Sequence, residues 1–182
     1  LGSQLFLAMS TVNPAAVAEC IYDIVKGKSF DWLKNEFDGD GRRNVVWALE
    51  KLCFAKESYE KAVQVLAKLA IAENENYGNN ATAQLNQLFH VQLAGTEVDL
   101  TQRFNTLKKL VDLGDAYLVI ALRCISEAFR NGQFVKMGGA EKFGFENKKD
   151  YAPKSYKEIY DYWYDCRDLL ISLMTTKPSS VN

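Results

Sequence analysis

Apolar residues recur along this chain at intervals of three and four, and nowhere do they alternate with polar ones for more than a few positions. A buried surface with that period has to be built from helices. Asn13 followed by Pro14 predicts a helix start, with Asn as cap and Pro at the first helical position. Val17, Cys20, Ile21, Ile24 and Val25 then make an apolar stripe that stops at Gly27. A short helix holding Phe30, Trp32 and Leu33 is expected next, ending in a turn from Asp38 to Gly41. Residues 42–54 and 58–73 read as a helix hairpin, the second helix capped by Ser58. A helix from Ala81 to Leu93 follows the polar turn AENENYGNN.

Asp99 with Gln102 approximates a capping box, and its helix runs to Gly114. Asp115 is the expected cap of the next helix, whose Leu118, Val119, Leu122, Ile125 and Phe129 predict a central position. Residues 132–154, with glycines at 132, 138, 139 and 144, read as a long ordered loop. Ser155 and Glu158 form a capping box for a last helix to about Met174, and 175–182 is expected to be a frayed tail. The pairs 42–73 and 100–130 look like two copies of one unit. The fold class expected is therefore all-α: an α-solenoid-like array of about seven to nine helices in antiparallel hairpins, HEAT- or TPR-like, forming one domain over 1–174.

Composition narrows what such an array can do. The 182 residues are 48% hydrophobic and 25% charged, as in ordinary folded proteins, and charged residues interrupt every apolar run before it could span a bilayer. With 22 Lys plus Arg against 23 Asp plus Glu, the net charge is -1, so no global field favours nucleic acid or an anionic membrane. Cys20, Cys53, Cys124 and Cys166 lie far apart inside apolar helical patterns. They read as four small buried hydrophobes in a reducing, cytoplasmic setting. Leu1 is preceded by no Met and no signal-like run follows it, so a piece of a longer chain is expected, in which Leu1 to Ser3 are either native or a cloning remnant.

Catalysis finds little footing. Ser-His or Cys-His chemistry needs an imidazole, and the single histidine, His90, falls in mid-helix between Phe89 and Val91. One His and scattered Cys leave only carboxylates for a metal, and neither phosphate-cradling glycine motif occurs. Glu73 and Glu75 could serve as acid and base only in a dry pocket that raised one of them. Among Asn74, Asn76, Asn79 and Asn80 they read better as caps for two helix ends. The sequon Asn80-Ala81-Thr82 reads as local capping by Thr82. No catalytic, cofactor or metal residue is expected.

Two surfaces remain as candidates. Lys136, Lys142, Lys148, Lys149, Lys154 and Lys157 interleave with Phe143, Phe145, Tyr151 and Tyr156, a mixture able to hold phosphates and stack on bases, although Glu141, Glu146 and Asp150 dilute it. The last helix lines up Tyr156, Ile159, Tyr160, Trp163 and Tyr164 on one broad face with Arg167 a turn further, residue types that anchor interfaces. The candidate partner-binding residues are therefore Lys148, Lys149, Tyr151, Tyr160, Trp163, Tyr164 and Arg167, with a protein or a neighbouring domain as the expected partner and nucleic acid as the alternative.

WALEKL at 47–52, LAKLAIAENENYGNNAT at 66–82, the Gly95-Thr96-Glu97 turn and YAPKS at 151–155 together resemble the helical-repeat region that follows the nucleotide-binding core of large bacterial STAND-type P-loop NTPases, some of which act in antiphage defence. The resemblance covers Arg42 to about Leu170 and rests on helix ends and turns. It implies a non-catalytic repeat module of a larger cytoplasmic NTPase, one that recognises a trigger or holds the protein inactive. It transfers no catalytic residue, because this sequence has neither P-loop nor effector.

Overall fold

The computed structural model describes the backbone of residues 2–130, 142–143 and 146–176, and their side chains except at 142, 143 and 146. Among the described residues the fold is all-α. Its helices are α1 (Gly2–Met9), α2 (Pro14–Lys26), α3 (Phe30–Asn35), α4 (Gly39–Phe54), α5 (Tyr59–Ile71), α6 (Ala81–Gln87), α7 (Leu100–Asp112), α8 (Asp115–Ala128) and α9 (Tyr156–Thr176). Between α8 and α9, β1 (Lys142–Phe143) pairs antiparallel with β2 (Glu146–Asn147), a miniature hairpin inside the stretch read as loop. Residues 132–141, 144 and 145 of that stretch and most of the predicted tail, 177–182, lie outside the described residues, while Thr175 and Thr176 extend α9.

Side-chain caps set several starts where the sequence places them. The Asn13 carboxamide accepts from the Ala16 N–H, Asp99 from Gln102, and the Ser155 hydroxyl from Glu158. Glu158 returns a bond to the N–H of Lys154, one residue before its expected target. Ser29 and Asn80 cap α3 and α6 in the same way. Other expected starts differ. Ser58 makes no cap; its hydroxyl donates backward to the Leu52 and Ala55 carbonyls, closing the end of α4. Asp115 sits inside the first turn of α8, and the cap is Gly114 at φ +108°. The Asp38–Gly41 turn is instead the start of α4. α6 stops at Gln87, so His90 lies beyond the helix and not in its middle.

α5 is the central helix, against the expectation for α8. It packs on α2, α3, α4, α6, α7 and α8. α8 leaves Val119 and Phe129 exposed. The two predicted hairpins, α4 on α5 and α7 on α8, are both present. α1 lies on α4, α6 wedges between α5 and α8, and α9 covers α7 and α8. One continuous apolar cluster runs from Val17 of α2 to Leu173 of α9. Within α2, Val17, Ile21 and Val25 are buried, but Ile24 and Cys20 face solvent.

Two arginines have no solvent exposure, Arg42 and Arg103. Each stands three residues into its helix, α4 or α7. The Arg42 guanidinium donates to the carbonyls of Leu33 (2.8 Å) and Phe37 (3.4 Å) at the end of α3, and of Leu69 (2.8 Å) and Ala72 (3.0 Å) at the end of α5. Those helix-end carbonyls have no partner within their own helices. Burial pulls the basicity of Arg42 down, opposed by Glu73 and Glu75 nearby. Arg103 repeats the pattern at the end of α6, donating to Leu88 (3.4 Å) and His90 (2.6 Å).

Arg42→Met is expected to cost at least about 3 kcal/mol in urea unfolding, since several buried carbonyls lose their donor at about 1–3 kcal/mol each. The half-exposed neighbour change Arg43→Met should cost less than about 1 kcal/mol, and equal losses for the two would refute the clamp. Gly114→Ala is a test of backbone strain alone, because an added Cβ meets nothing within 4 Å. It should cost about 1–3 kcal/mol by the same measurement.

Candidate functional site

The segment leading into α9 is fastened to the turn at 95–97. The Asp150 carboxylate accepts from the N–H groups of Gly95 (3.1 Å) and Thr96 (3.1 Å), and the Tyr151 N–H donates to the Thr96 carbonyl at 2.8 Å. Lys148, its side chain only 13% exposed, bridges Glu97 (3.0 Å) and Glu57 (3.3 Å). Burial lowers the Lys148 basicity, and the two carboxylates more than restore it. The Tyr151 ring lies 5.6 Å from the Arg103 guanidinium, and its hydroxyl bonds to Glu158. Burial, with Glu158 adding to it, pushes that phenol up to about 12.

These contacts divide the predicted partner residues. Lys148 and Tyr151 are turned into the protein, whereas Lys149 is exposed. Lys154 is exposed as well, and Lys157 pairs with Asp161 at 2.5 Å. Lys136, Phe145 and the side chains of Lys142 and Phe143 lie outside the described residues.

The last helix presents two apolar faces. Tyr162, Cys166 and Leu173 are buried on the inner one, and the Tyr162 hydroxyl donates to the Phe89 carbonyl at 3.0 Å. Trp163 is half-buried at the edge, and its indole N–H donates to the Ala128 carbonyl at 2.8 Å, tying α9 to the end of α8. Outward stand Tyr156, Tyr160, Tyr164, Ile171 and Met174, each at least half exposed. Tyr160 meets Trp163 edge-on at 5.8 Å and stacks over Tyr164 at 6.5 Å. The Arg167 guanidinium lies 4.9 Å from the Tyr164 ring and donates to Asp168 through two nitrogens. The structure therefore gathers Tyr160, Tyr164 and Arg167 on one open surface with Trp163 behind them. Ile171 and Met174 extend that surface and escaped the sequence reading. Their signal was present, because 160, 164, 167, 171 and 174 step by four and three in alternation.

His90, Glu73, Glu75 and the buried cysteines are each set into the fold by their surroundings. His90 is buried, with its Nε2 2.8 Å from the Glu127 carboxylate, which Arg130 also meets at 3.2 Å. Glu73 accepts from the N–H groups of Asn74, Glu75 and Thr82 and from the Thr82 hydroxyl, holding the turn into α6 as expected of a cap. Burial holds the Glu75 carboxyl above its usual range, despite Arg42 and Arg43. Cys53, Cys124 and Cys166 are buried and their thiols are pushed up, Cys166 to about 12, which suppresses the reactive thiolate. Among the described residues no group of His, Cys, Asp and Glu could hold a metal ion, and no helix is long and apolar enough to cross a membrane.

Compared with protein-family models, curated proteins and solved structures, the chain matches none.

The hydrogen bonds to Glu127 give a pH signature. Burial alone would raise this carboxyl, but the bonds from His90 and Arg130 outweigh it and hold it below the ordinary value of 4.5. A carboxylate depressed in the folded state contributes stability above its unfolded value and loses it as pH falls through the folded one. Glu127→Gln should therefore be less stable than the parent at pH 7, with the two urea midpoints converging as pH drops below about 4.5. Parallel profiles would show that the carboxylate charge contributes nothing.

Proposed function

We propose that this chain is a non-catalytic helical-repeat binding module that recognises another protein, or a neighbouring domain of a larger cytoplasmic protein, through the outer face of α9. The observation that carries this reading is the exposed row of Tyr156, Tyr160, Tyr164, Ile171 and Met174 on the helix that ends the described stack. Helical arrays that end in water do so with a polar outer surface. This last helix is aromatic there instead, and Tyr and Arg are the side chains that most often anchor interfaces.

The reading as an α-solenoid draws support from the order of elements. A short helix, then two longer ones, occurs as α3–α4–α5 and again as α6–α7–α8. Each copy carries its buried arginine at the same helical position, turned onto the end of the preceding short helix. A module of this kind fits the regulatory part of a STAND-type NTPase, where it would recognise a trigger or hold the parent protein inactive. Catalysis would then belong to other parts of that protein.

Placing a photoreactive phenylalanine analogue at Tyr160 or Tyr164 in cells should give a discrete cross-linked protein identifiable by mass spectrometry. The same analogue at exposed Val12 should give none. Tyr160→Ala with Tyr164→Ala should abolish the adduct formed from Ile171 while changing stability by less than about 1 kcal/mol, as exposed substitutions do. Uniform labelling at all positions would count against the proposal.

A further inference from the structure

The outer face of α9 also constrains the partner. We infer that it receives an amphipathic helix of another polypeptide, apolar along one row and carrying Lys or Arg along the edge that meets Asp161 and Asp168. The inference rests on the reading of α9 as the docking face and adds the chemistry of what docks.

Spacing points to a helix. Tyr160, Tyr164, Arg167, Ile171 and Met174 follow alternating steps of four and three, and all are exposed or, for Arg167, half exposed. That average of 3.5 is the seam along which a second helix lies at a shallow angle, its side chains seated between those of the first. An extended peptide reads every second residue and a globular surface reads no period, so neither matches such a row over nearly the whole of α9.

Charge sets the flank. Asp161 and Asp168 directly follow the first and third residues of the row and form one edge, both more than half exposed. Trp163 and Leu170 precede the second and fourth and form the other edge, which is partly buried in the domain's own core. Only the acidic edge is therefore open to a partner. Across α9 two cations, Lys157 and Arg167, face four carboxylates, Glu158, Asp161, Asp165 and Asp168. The pairs Lys157–Asp161 and Arg167–Asp168 lie within the helix at exposed positions, where such contacts are weak and rearrange readily.

The same edge argues against a second copy of this chain. An antiparallel twofold pair would set Asp161 and Asp168 against themselves, and a parallel pair would press them onto the apolar edge of Trp163 and Leu170. Anionic lipid and nucleic acid are repelled by the same carboxylates.

Two labelled synthetic helical peptides serve as probes: both carry leucines at the 3.5 spacing, one with Lys and the other with Glu along the flanking edge. Titrated into the full chain at low salt and followed by anisotropy, the Lys peptide should bind about tenfold tighter or more, as opposite edge charges decide pairing between helices. Asp161→Lys with Asp168→Lys should reverse that preference, and Tyr160→Ala with Tyr164→Ala should weaken both peptides. Binding of neither peptide, or equal binding unaffected by the charge reversal, overturns the inference. Self-association in sedimentation that Tyr160→Ala abolishes overturns it in favour of a second copy. Equal binding still weakened by the tyrosine variants leaves the docking face standing and fails the charge argument alone. Binding that those variants do not change fails the reading beneath it.

Discussion

A guanidinium with no access to water holds the first half of this fold together. Helices end with carbonyls that nothing in the helix can satisfy, and burying them without donors is expensive. Arg42 brings the ends of α3 and α5 to one point because its planar fork offers several donors in fixed directions, which a lysine ammonium cannot match. Glu73 touches the same guanidinium at 3.5 Å and uses its other oxygen on Thr82 at the start of α6. Four helices thus meet at one polar knot. The second knot, at Arg103, is less complete. Its Nη1 holds the end of α6, while its Nε and Nη2 make no hydrogen bond within the described residues. Tyr151 closes over that charge as a ring face, with Glu158 on its hydroxyl. The start of α9 is therefore fixed by the need to cover a buried cation.

Where helix starts depend on a side chain reaching three residues ahead, they were legible in the sequence, as at Asn13, Asp99 and Ser155. Where an end depends on a distant donor, they were not. The apolar pattern of Leu88, Phe89 and Val91 continues past Gln87, yet α6 ends there in tighter turns, and Arg103 takes the carbonyls of Leu88 and His90. Gly39 and Gly41 read as a turn for their low helix propensity. They form the first turn of α4, which opens on Gly39 at φ +55°, a backbone conformation that favours glycine. α8 has the sequence of a central helix because Leu118, Val119, Leu122, Ile125 and Phe129 make it apolar around much of its circumference. Pattern alone does not say which sides neighbours cover, and α5 took that place. α1 carries no charge at either end, so nothing in the sequence marks where it starts or stops.

The candidate site divides along the same line. Lys148 and Tyr151 are chemically as suitable for an interface as Arg167 and Tyr160. Their fates differ because of carboxylates and amides far away in sequence: Glu57 and Glu97 for Lys148, and Thr96 for the Tyr151 backbone. Nothing in the segment 148–157 itself encodes that difference. On α9 the choice is visible, since a helix whose apolar residues fall on two opposed rows can bury only one of them against a single neighbouring layer.

Which row goes inward also decides how well the outward one can act. The inner row is held by Tyr162 on the Phe89 carbonyl, by Cys166 and Leu173 in the core, and by the Trp163 indole on Ala128. These contacts are spread along the helix from its first turns almost to its end, so α9 has a fixed rotation about its own axis. The outer tyrosines stand on that fixed frame, and two of them brace each other and Trp163. A partner then orders few side chains that are not already ordered, and rigid aromatics give large contact area for little lost freedom. Burial on one side of the helix thus prepares recognition on the other.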